Sequence, residues 1–264
     1  MSADQLIDVV VLAGSRPGAD PLLTESGVAT KALLPVGGRP MLLYVTAALR
    51  ASPAIGRIII LAQGSAALAA DARLAGLVAD PKVVFADSGA GISTSLAHVV
   101  TGATAPLLVT TADNVLLTPA MVEEFLAGSC GSDVAVAMVA RDTLVARYPG
   151  SRRTWLKFRG GWWSGANLFR FGGRQVLPLL DFWSRIEQDR KKGLRIVAAF
   201  GPALLAAALF RTITIQQGVQ RAARRFGLRD ARVIAMPQAE ACIDADKPDD
   251  ILLIETILAA RAAA

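Results

Sequence analysis

Val9 to Leu12 is an uninterrupted apolar run, and further short, largely apolar stretches, several opening on a charged residue, lie at Arg57 to Leu61, Lys82 to Ala86, Pro106 to Thr111, Asp133 to Ala140 and Arg232 to Met236. They are short, rich in Val, Ile and Leu, and lack polar alternation. That pattern predicts strands covered on both faces, as in a parallel sheet. The segments between them carry helical spacing. Pro40 to Leu49 predicts a helix with proline in its first turn. Ser65 to Val78 predicts an Ala-rich helix capped by Ser65. Arg174 to Arg190 sets Val176, Leu177, Leu180, Trp183 and Ile186 at three- and four-residue spacing. Ile215 to Phe226 is amphipathic, with Arg221, Arg224 and Arg225 on its polar side. Pro248 opens a last helix, with Asp249 and Asp250 in its first turn. Alternation of strand and helix predicts an α/β fold with a mostly parallel sheet flanked by helices. The expected organisation is one domain over residues 1–264, with a basic helical insertion at 174–230 before the last strand.

Composition adds bounds. At 264 residues the chain can bury a full core without staples. Cys130 and Cys242 are its two cysteines, which excludes a disulfide scaffold and fits a reducing compartment. The opening MSADQLIDVVVLAG has no basic leader region and runs straight into a strand, so no signal peptide is expected and the cytoplasm is the expected location. Mean hydropathy is high, +0.44. The longest apolar window, Ile196 to Phe210, still falls short of the roughly 20 residues a bilayer span needs, and it contains Gly201-Pro202.

Charge is unevenly spread. The net charge is +6, but residues 147–232 hold 18 Lys or Arg against 4 Asp or Glu. Such a segment suits an anionic partner: nucleic acid, an anionic membrane surface or a phosphorylated substrate. Basic and aromatic residues interleave from Arg147 to Trp163, a pattern also found in nucleic-acid binders, though nucleic acid is not the expected partner here. A solvated, Arg-rich helical surface explains the same charge without any partner.

The chemistry-bearing stretches sit at the ends of the expected strands. The first strand runs into Ala13-Gly14-Ser15-Arg16-Pro17-Gly18, a small-residue turn whose backbone N–H groups can close around phosphates. Arg16 and Lys31 can supply fixed positive charge to them. Asp87 to Leu96 is a Gly-rich turn entering a helix through Ser93, Thr94 and Ser95, presenting amides and hydroxyls together. Asp113 follows the strand ending at Thr111, where open α/β sheets bind ligands. It lies too far upstream of Pro119 to serve simply as that helix's cap. Asp246 precedes the last helix, where capping alone would also explain an acidic residue.

Leu12-Ala13-Gly14-Ser15-Arg16-Pro17-Gly18 and Thr30-Lys31-Ala32-Leu33-Leu34-Pro35-Val36-Gly37-Gly38-Arg39-Pro40-Met41 together resemble the signature of MobA-like and sugar-phosphate nucleotidyltransferases. That pattern is roughly Leu-Ala-Gly-Gly-x-Gly-x-Arg, a loop, then Pro-Lys-x-Leu-Leu-Pro-x-x-Gly-x-Pro-Met. The second half matches closely. In the first, Ser15 stands for a glycine, and Thr30 replaces the proline before the lysine, as in a divergent branch. Gly91 to Ser95 resembles the family's base- or ribose-contacting segment, and Ser164 to Phe169 its Gly-x-Asn segment. Asp244-Ala245-Asp246-Lys247-Pro248-Asp249-Asp250-Ile251 resembles its closing motif.

The resemblance implies a Rossmann-like, GT-A-like fold and a definite set of roles. Leu12, Ala13, Gly14, Ser15, Gly91, Ser93 and Ser95 would bind nucleotide. Gly165 and Asn167 would bind the acceptor, with Lys157 or Arg153, and Lys247, available to its phosphate. Asp113 and Asp246 would hold Mg²⁺ or Mn²⁺, with Asp244 as the alternative to Asp246. Arg16, Lys31 and Asp113 would carry catalysis. The expected reaction moves NMP from CTP, UTP or GTP to a phosphorylated acceptor and releases pyrophosphate. An acceptor phosphate is already anionic and needs no general base, consistent with a single histidine, His98, inside a helix where packing is its expected role.

Two other classes fit the same fold: a GT-A-type glycosyltransferase using a sugar nucleotide, and a non-catalytic membrane-surface module. The insertion itself has three readings: an active-site cap, a homodimer contact, or a peripheral contact of residues 196–226 with an anionic membrane, which would place the protein at the inner face of that membrane.

Overall fold

The computed structural model describes residues 6–14, 21–89, 91–188 and 201–263. Ser15, Arg16, Arg190-Lys191-Lys192 and the start of the Ile196 to Phe210 window lie outside the described residues. The elements run β1 Ile7–Leu12, α1 Pro21–Ser26, a 3₁₀ turn Lys31–Leu33, β2 Pro35–Val36, β3 Arg39–Pro40, α2 Met41–Ala51, β4 Ile55–Ala62, α3 Ser65–Ala69, α4 Ala75–Val78, β5 Val83–Asp87 and α5 Ile92–Gly102. They continue as β6 Leu107–Thr111, α6 Pro119–Ser129, β7 Val134–Ala140, α7 Arg141–Arg147, β8 Leu156–Phe158, β9 Gly161–Phe171 and α8 Leu177–Gln188. The last are α9 Pro202–Leu209, α10 Ile215–Arg224, β10 Ala231–Ala235 and α11 Pro248–Ala262.

The main sheet has the order β10-β7-β9-β6-β1-β4-β5, with β8 on β9. β1 is parallel to β4 and β6, β4 to β5, and β10 to β7; β9 runs antiparallel between β6 and β7. The expected mixed α/β fold with a mostly parallel sheet is therefore present. Its physical basis is visible in β1. Val9 and Val11 point to one core with Met41, Leu42 and Phe125, while Val10 points to the other with Leu96, Val100 and Leu180. Both faces are buried from Val9 to Val11, so that stretch is apolar, and the one charged residue, Asp8, pairs with Arg57 at the start of the strand.

The Ala-rich segment after β4 departs from expectation. It is not one helix from Ser65 to Val78 but two short ones broken at Asp71, whose carboxylate accepts from the Arg73 amide at 3.0 Å. Ser65 is not the cap: Gly64 takes that place at φ +62°, and the Ser65 amide donates to Asp87 at 2.8 Å. The helices between β9 and β10 hold the sheet edge. Gln216 and Gln220, one turn apart on α10, reach the backbone of Ala231, Val233 and Arg229 at 2.7–2.9 Å. The exposed ladder groups of β10 are thus capped by side chains rather than left open to pairing. Asp133, just before β7, accepts from the amides of Arg229 and Asp230 and from Gln175. Cys130 and Cys242 are both free thiols. Among the described residues no helix is long and apolar enough to cross a membrane.

Candidate active site

The site lies where β1 and β6 end side by side. β1 stops at Leu12; the Ala13 amide donates to Leu61 O at 2.9 Å and the Ala112 amide to Leu12 O at 2.9 Å. Gly14 follows where a Cβ would come within 2.6 Å of the Gln63 side-chain oxygen. Leu12, Ala13 and Gly14 therefore stand beside the start of the Asp113 loop. Ser15 and Arg16 lie outside the described residues.

The chain returns at Lys31. Thr30 is extended and Lys31–Leu33 form a tight turn, pinned by buried Ala32, Leu33 and Leu34. This packing explains why the Lys-x-Leu-Leu-Pro segment is apolar around one lysine. The Lys31 ammonium lies 2.8 Å from Asp113 Oδ2 and 2.5 Å from Asp246 Oδ1. Burial disfavours its charge, but the attraction and hydrogen bonds of Asp113 and Asp246 outweigh this and raise its pKa. Asp113 is held from behind by the Thr111 hydroxyl, which donates at 2.5 Å. Its backbone carbonyl accepts from the Ala245 amide at 3.2 Å, tying the β6 loop to the segment before α11. Buried Asn114 reaches Thr110 Oγ1 and Ala166 O, locking the same loop to β9.

A second cluster backs the first. The Arg153 side chain, only 6% exposed, donates to Asp244 at 2.6 Å and to Asp250 at 2.7 Å. Asn167 Nδ2 donates to the other Asp244 oxygen at 3.3 Å. Asn167 sits at φ +49° in β9, where the pairing with β7 slips between Val136 and Met138. The extra residues of this bulge bring the amide side chain to Asp244, and Asn is among the few residues that accept a left-handed backbone. Burial, followed by the charges of Asp246 and Asp113, pushes the Asp244 carboxyl up to about 6, against the pull of Arg153.

The remaining expected residues are placed differently. Lys157 does not join either cluster; its ammonium lies 4.3 Å from the centre of the Trp162 ring, on the β8–β9 hairpin. Gly165 precedes Asn167 in the bulge, with open space where a side chain would be. Lys247 is exposed at the cap of α11 and, with Arg147, Tyr148 and Arg152, lines a cavity of about 590 Å³. At the Gly-Ser turn the cap of α5 is Gly91, not Ser93. Ser95 turns inward, donating to Gly91 O at 2.7 Å and accepting from the Gly89 amide at 2.8 Å, and Ser93 is buried. The Ser95 hydroxyl thus ties this turn together from inside.

Sequence reasoning had offered Arg153 to an acceptor phosphate. The structure instead commits its guanidinium to two carboxylates. Nothing local marks that role, because Asp244 and Asp250 are 91 and 97 residues away. Cys242 is buried, which pushes its thiol up to about 12 and disfavours the thiolate.

The donors present suit a hard divalent cation. Two carboxylates from distant segments already converge on one positive charge, and a third, Asp244, is raised by its acidic neighbours. Among the described residues no group of three or more His, Cys, Asp or Glu is arranged to hold a metal. Mg²⁺ is compatible with that, since it usually takes one or two carboxylates and fills its shell with water and substrate phosphates.

The profile of the MobA-like NTP transferase domain matches residues 9–228. No curated protein matches the chain at the sequence level. Among solved structures, a hypothetical transferase from Thermus thermophilus is 25% identical, with a TM-score of 0.77, over 94% of this chain and 100% of that one. A 4-diphosphocytidyl-2C-methyl-D-erythritol synthase from Anaerococcus prevotii is 10% identical, with a TM-score of 0.60, over 97% and 96%. A CMP:2-keto-3-deoxy-manno-octonic acid synthetase complexed with CTP is 11% identical, with a TM-score of 0.57, over 97% and 99%. At these identities the two synthases are evidence of a common fold.

Proposed function

The chain belongs to the MobA-like NTP transferase family, and we propose that it moves a nucleoside monophosphate from a nucleoside triphosphate to a phosphorylated small-molecule acceptor, releasing pyrophosphate. The observation that carries this reading is the meeting of Lys31, Asp113 and Asp246 on one point beyond the ends of β1 and β6. A lysine from the signature loop and two carboxylates form a phosphate-and-metal constellation, in the place where open α/β sheets bind ligands.

In this reading Asp113 and Asp246 hold Mg²⁺, which when bound neutralises phosphate charge as the leaving group develops. Lys31 exchanges its carboxylate partners for triphosphate oxygens, whose negative charge keeps it protonated there as Asp113 and Asp246 do without ligand. Arg16, from the turn after β1, adds a second fixed charge. The backbone of Ala13 and Gly14 supplies close approach to the phosphates. Gly91, Ser93 and Ser95 form the rigid turn beside the base, read through its backbone face. Asn167 and Gly165 face the acceptor from β9, and Lys247 and Lys157 are the cations available to its phosphate. Thr111 and the Arg153–Asp244 pair fix the carboxylates without touching substrate. An acceptor phosphate attacks in line as an anion, so no proton need be removed.

CTP is the first triphosphate to try, since a synthetase of this fold was solved with it. The test is a matrix of four nucleoside triphosphates with Mg²⁺ against sugar, polyol and lipid-precursor phosphates, read as pyrophosphate. Stoichiometric pyrophosphate and nucleotidylated product in one combination supports the proposal. Transfer of a sugar from a sugar nucleotide, with no pyrophosphate from any combination, would replace it with a glycosyltransferase.

A further inference from the structure

We propose that the corner at Leu209, Phe210 and Arg211, with Arg159, Arg221 and Arg224, docks this protein onto an anionic phospholipid surface. Leu209 and Phe210 are 77% and 75% exposed, more than any other large hydrophobic side chains among the described residues. They end α9, whose sequence, PALLAAAL, carries no charge.

The corner is a built structure. Arg211 takes a left-handed backbone, φ +54°, at the position after the helix cap. Its amide donates to Ala208 O at 3.0 Å, and the Thr212 amide donates to Ala207 O at 2.9 Å. This is the double hydrogen bond of a Schellman turn, a place where glycine is usual and a long charged side chain is uncommon. The turn closes the helix and holds two apolar side chains outward with a cation immediately behind them.

The charges near it are exposed arginines. The Arg159 amide donates to Ile213 O at 2.9 Å, which brings the end of β8 to this corner. Arg221 and Arg224 are three residues apart and exposed on α10, whose Gln216 and Gln220 turn to the sheet edge. Arg159, Arg211, Arg221 and Arg224 form no ion pair among the described residues. Several other surface arginines are paired: Arg57 with Asp8, Arg73 with Asp71, Arg185 with Asp181, Arg232 with Asp230. Acidic residues are few in this part of the chain, 4 against 18 Lys or Arg over residues 147–232.

A projecting apolar pair next to Arg211 and Arg159, followed by a helix with exposed Arg221 and Arg224, matches an anionic bilayer surface. The apolar tips enter the boundary between headgroups and acyl chains while the guanidinium groups stay with lipid phosphates. The occupant is the bilayer because the exposed charge of Arg159, Arg211, Arg221 and Arg224 is of one sign and accompanies exposed apolar side chains. This inference is independent of the nucleotide chemistry.

The test is sedimentation of the full chain with phosphatidylcholine vesicles, with and without phosphatidylserine. The expected result is capture by the phosphatidylserine vesicles alone, reversed by raising salt. Leu209→Ser combined with Phe210→Ser should lower the partition coefficient at least about tenfold. Arg221→Gln combined with Arg224→Gln should lower it by about fivefold per charge removed. All four side chains are exposed, so melting temperature should not change; if the serine pair misfolds, the glutamine pair carries the test. Absence of capture, equal capture by both vesicle types, or a dimer in solution that the serine pair dissolves would overturn the proposal.

Discussion

The ammonium of Lys31 lies 2.8 Å from the carboxylate of Asp113, a residue 82 positions further along the chain. With Asp246 at 2.5 Å on its other side, this lysine joins the first strand's loop, the end of β6 and the approach to the last helix. The same contact makes it a structural clamp and a phosphate ligand in waiting. Lys31→Met should therefore do two things. Triphosphate affinity or turnover should fall by about 10² to 10³, the usual scale for losing one charge-stabilising group in an active site. The fold should remain, because Lys31 is surrounded by carboxylates that water or a divalent cation can solvate. Titration calorimetry and melting curves read the two effects separately.

Arg153 is a different case. Its guanidinium is buried and shared between Asp244 and Asp250. Removing one member of a buried ion cluster leaves uncompensated charge and costs about 3–5 kcal/mol. Arg153→Met should lower the melting temperature by about 10 °C on the scale of a domain this size. Arg153→Lys should recover only part of that, since one ammonium cannot serve both carboxylates with a planar fork. Differential scanning calorimetry of the two variants decides it, and near-native melting of Arg153→Met would contradict the clamp.

How much of this was legible in the sequence follows from range. Val9 to Leu12, Arg57 to Leu61 and Pro106 to Thr111 announced a buried parallel sheet because each is apolar on both faces. Asp113 was legible because it follows a strand end that the apolar run locates, and Lys31 and Asp246 because their segments resemble the family's motifs. Arg153 was not legible as a clamp, because its partners lie far along the chain. Asn167 was visible through the resemblance of Ser164 to Phe169 to the Gly-x-Asn segment, but its left-handed backbone depends on a register slip against β7 that no local pattern records. Ser93 and Ser95 read as presented hydroxyls; in the fold their helix turns them inward, a matter of which face of α5 meets the sheet. The break at Asp71 was missed because an alanine-rich run hides a capping aspartate.

Asn167 separates backbone from side chain. Asn167→Gly keeps the φ of +49° without strain and loses only the bond to Asp244, so stability should change by about 1 kcal/mol or less. Asn167→Val forces a β-branched residue into the left-handed region and should cost more than the glycine variant. If Asn167 also meets the acceptor, both variants should raise the acceptor KM while leaving triphosphate affinity unchanged. A steady-state comparison of the two substrates tests this.

Asp133 gives a pH dependence. Backbone amides of Asp230 and Arg229, with Gln175, hold its carboxyl below the usual range. A group whose pKa is depressed by folding contributes stability above its unfolded pKa of about 3.9, and that stability is lost as pH falls through the folded value. Stability should therefore decline below about pH 4, and Asp133→Asn should flatten part of that decline while lowering stability at neutral pH by about 1–3 kcal/mol. Urea titrations across the acid range read both.

Isothermal titration of CTP into the protein, with and without Mg²⁺, most directly tests the reading of Lys31, Asp113 and Asp246 as a triphosphate-and-metal site. Saturable binding that depends on Mg²⁺ in the parent protein and is lost in Asp113→Ala, whose melting temperature is retained, is the predicted result. Unchanged Mg²⁺-dependent CTP binding by Asp113→Ala would contradict it.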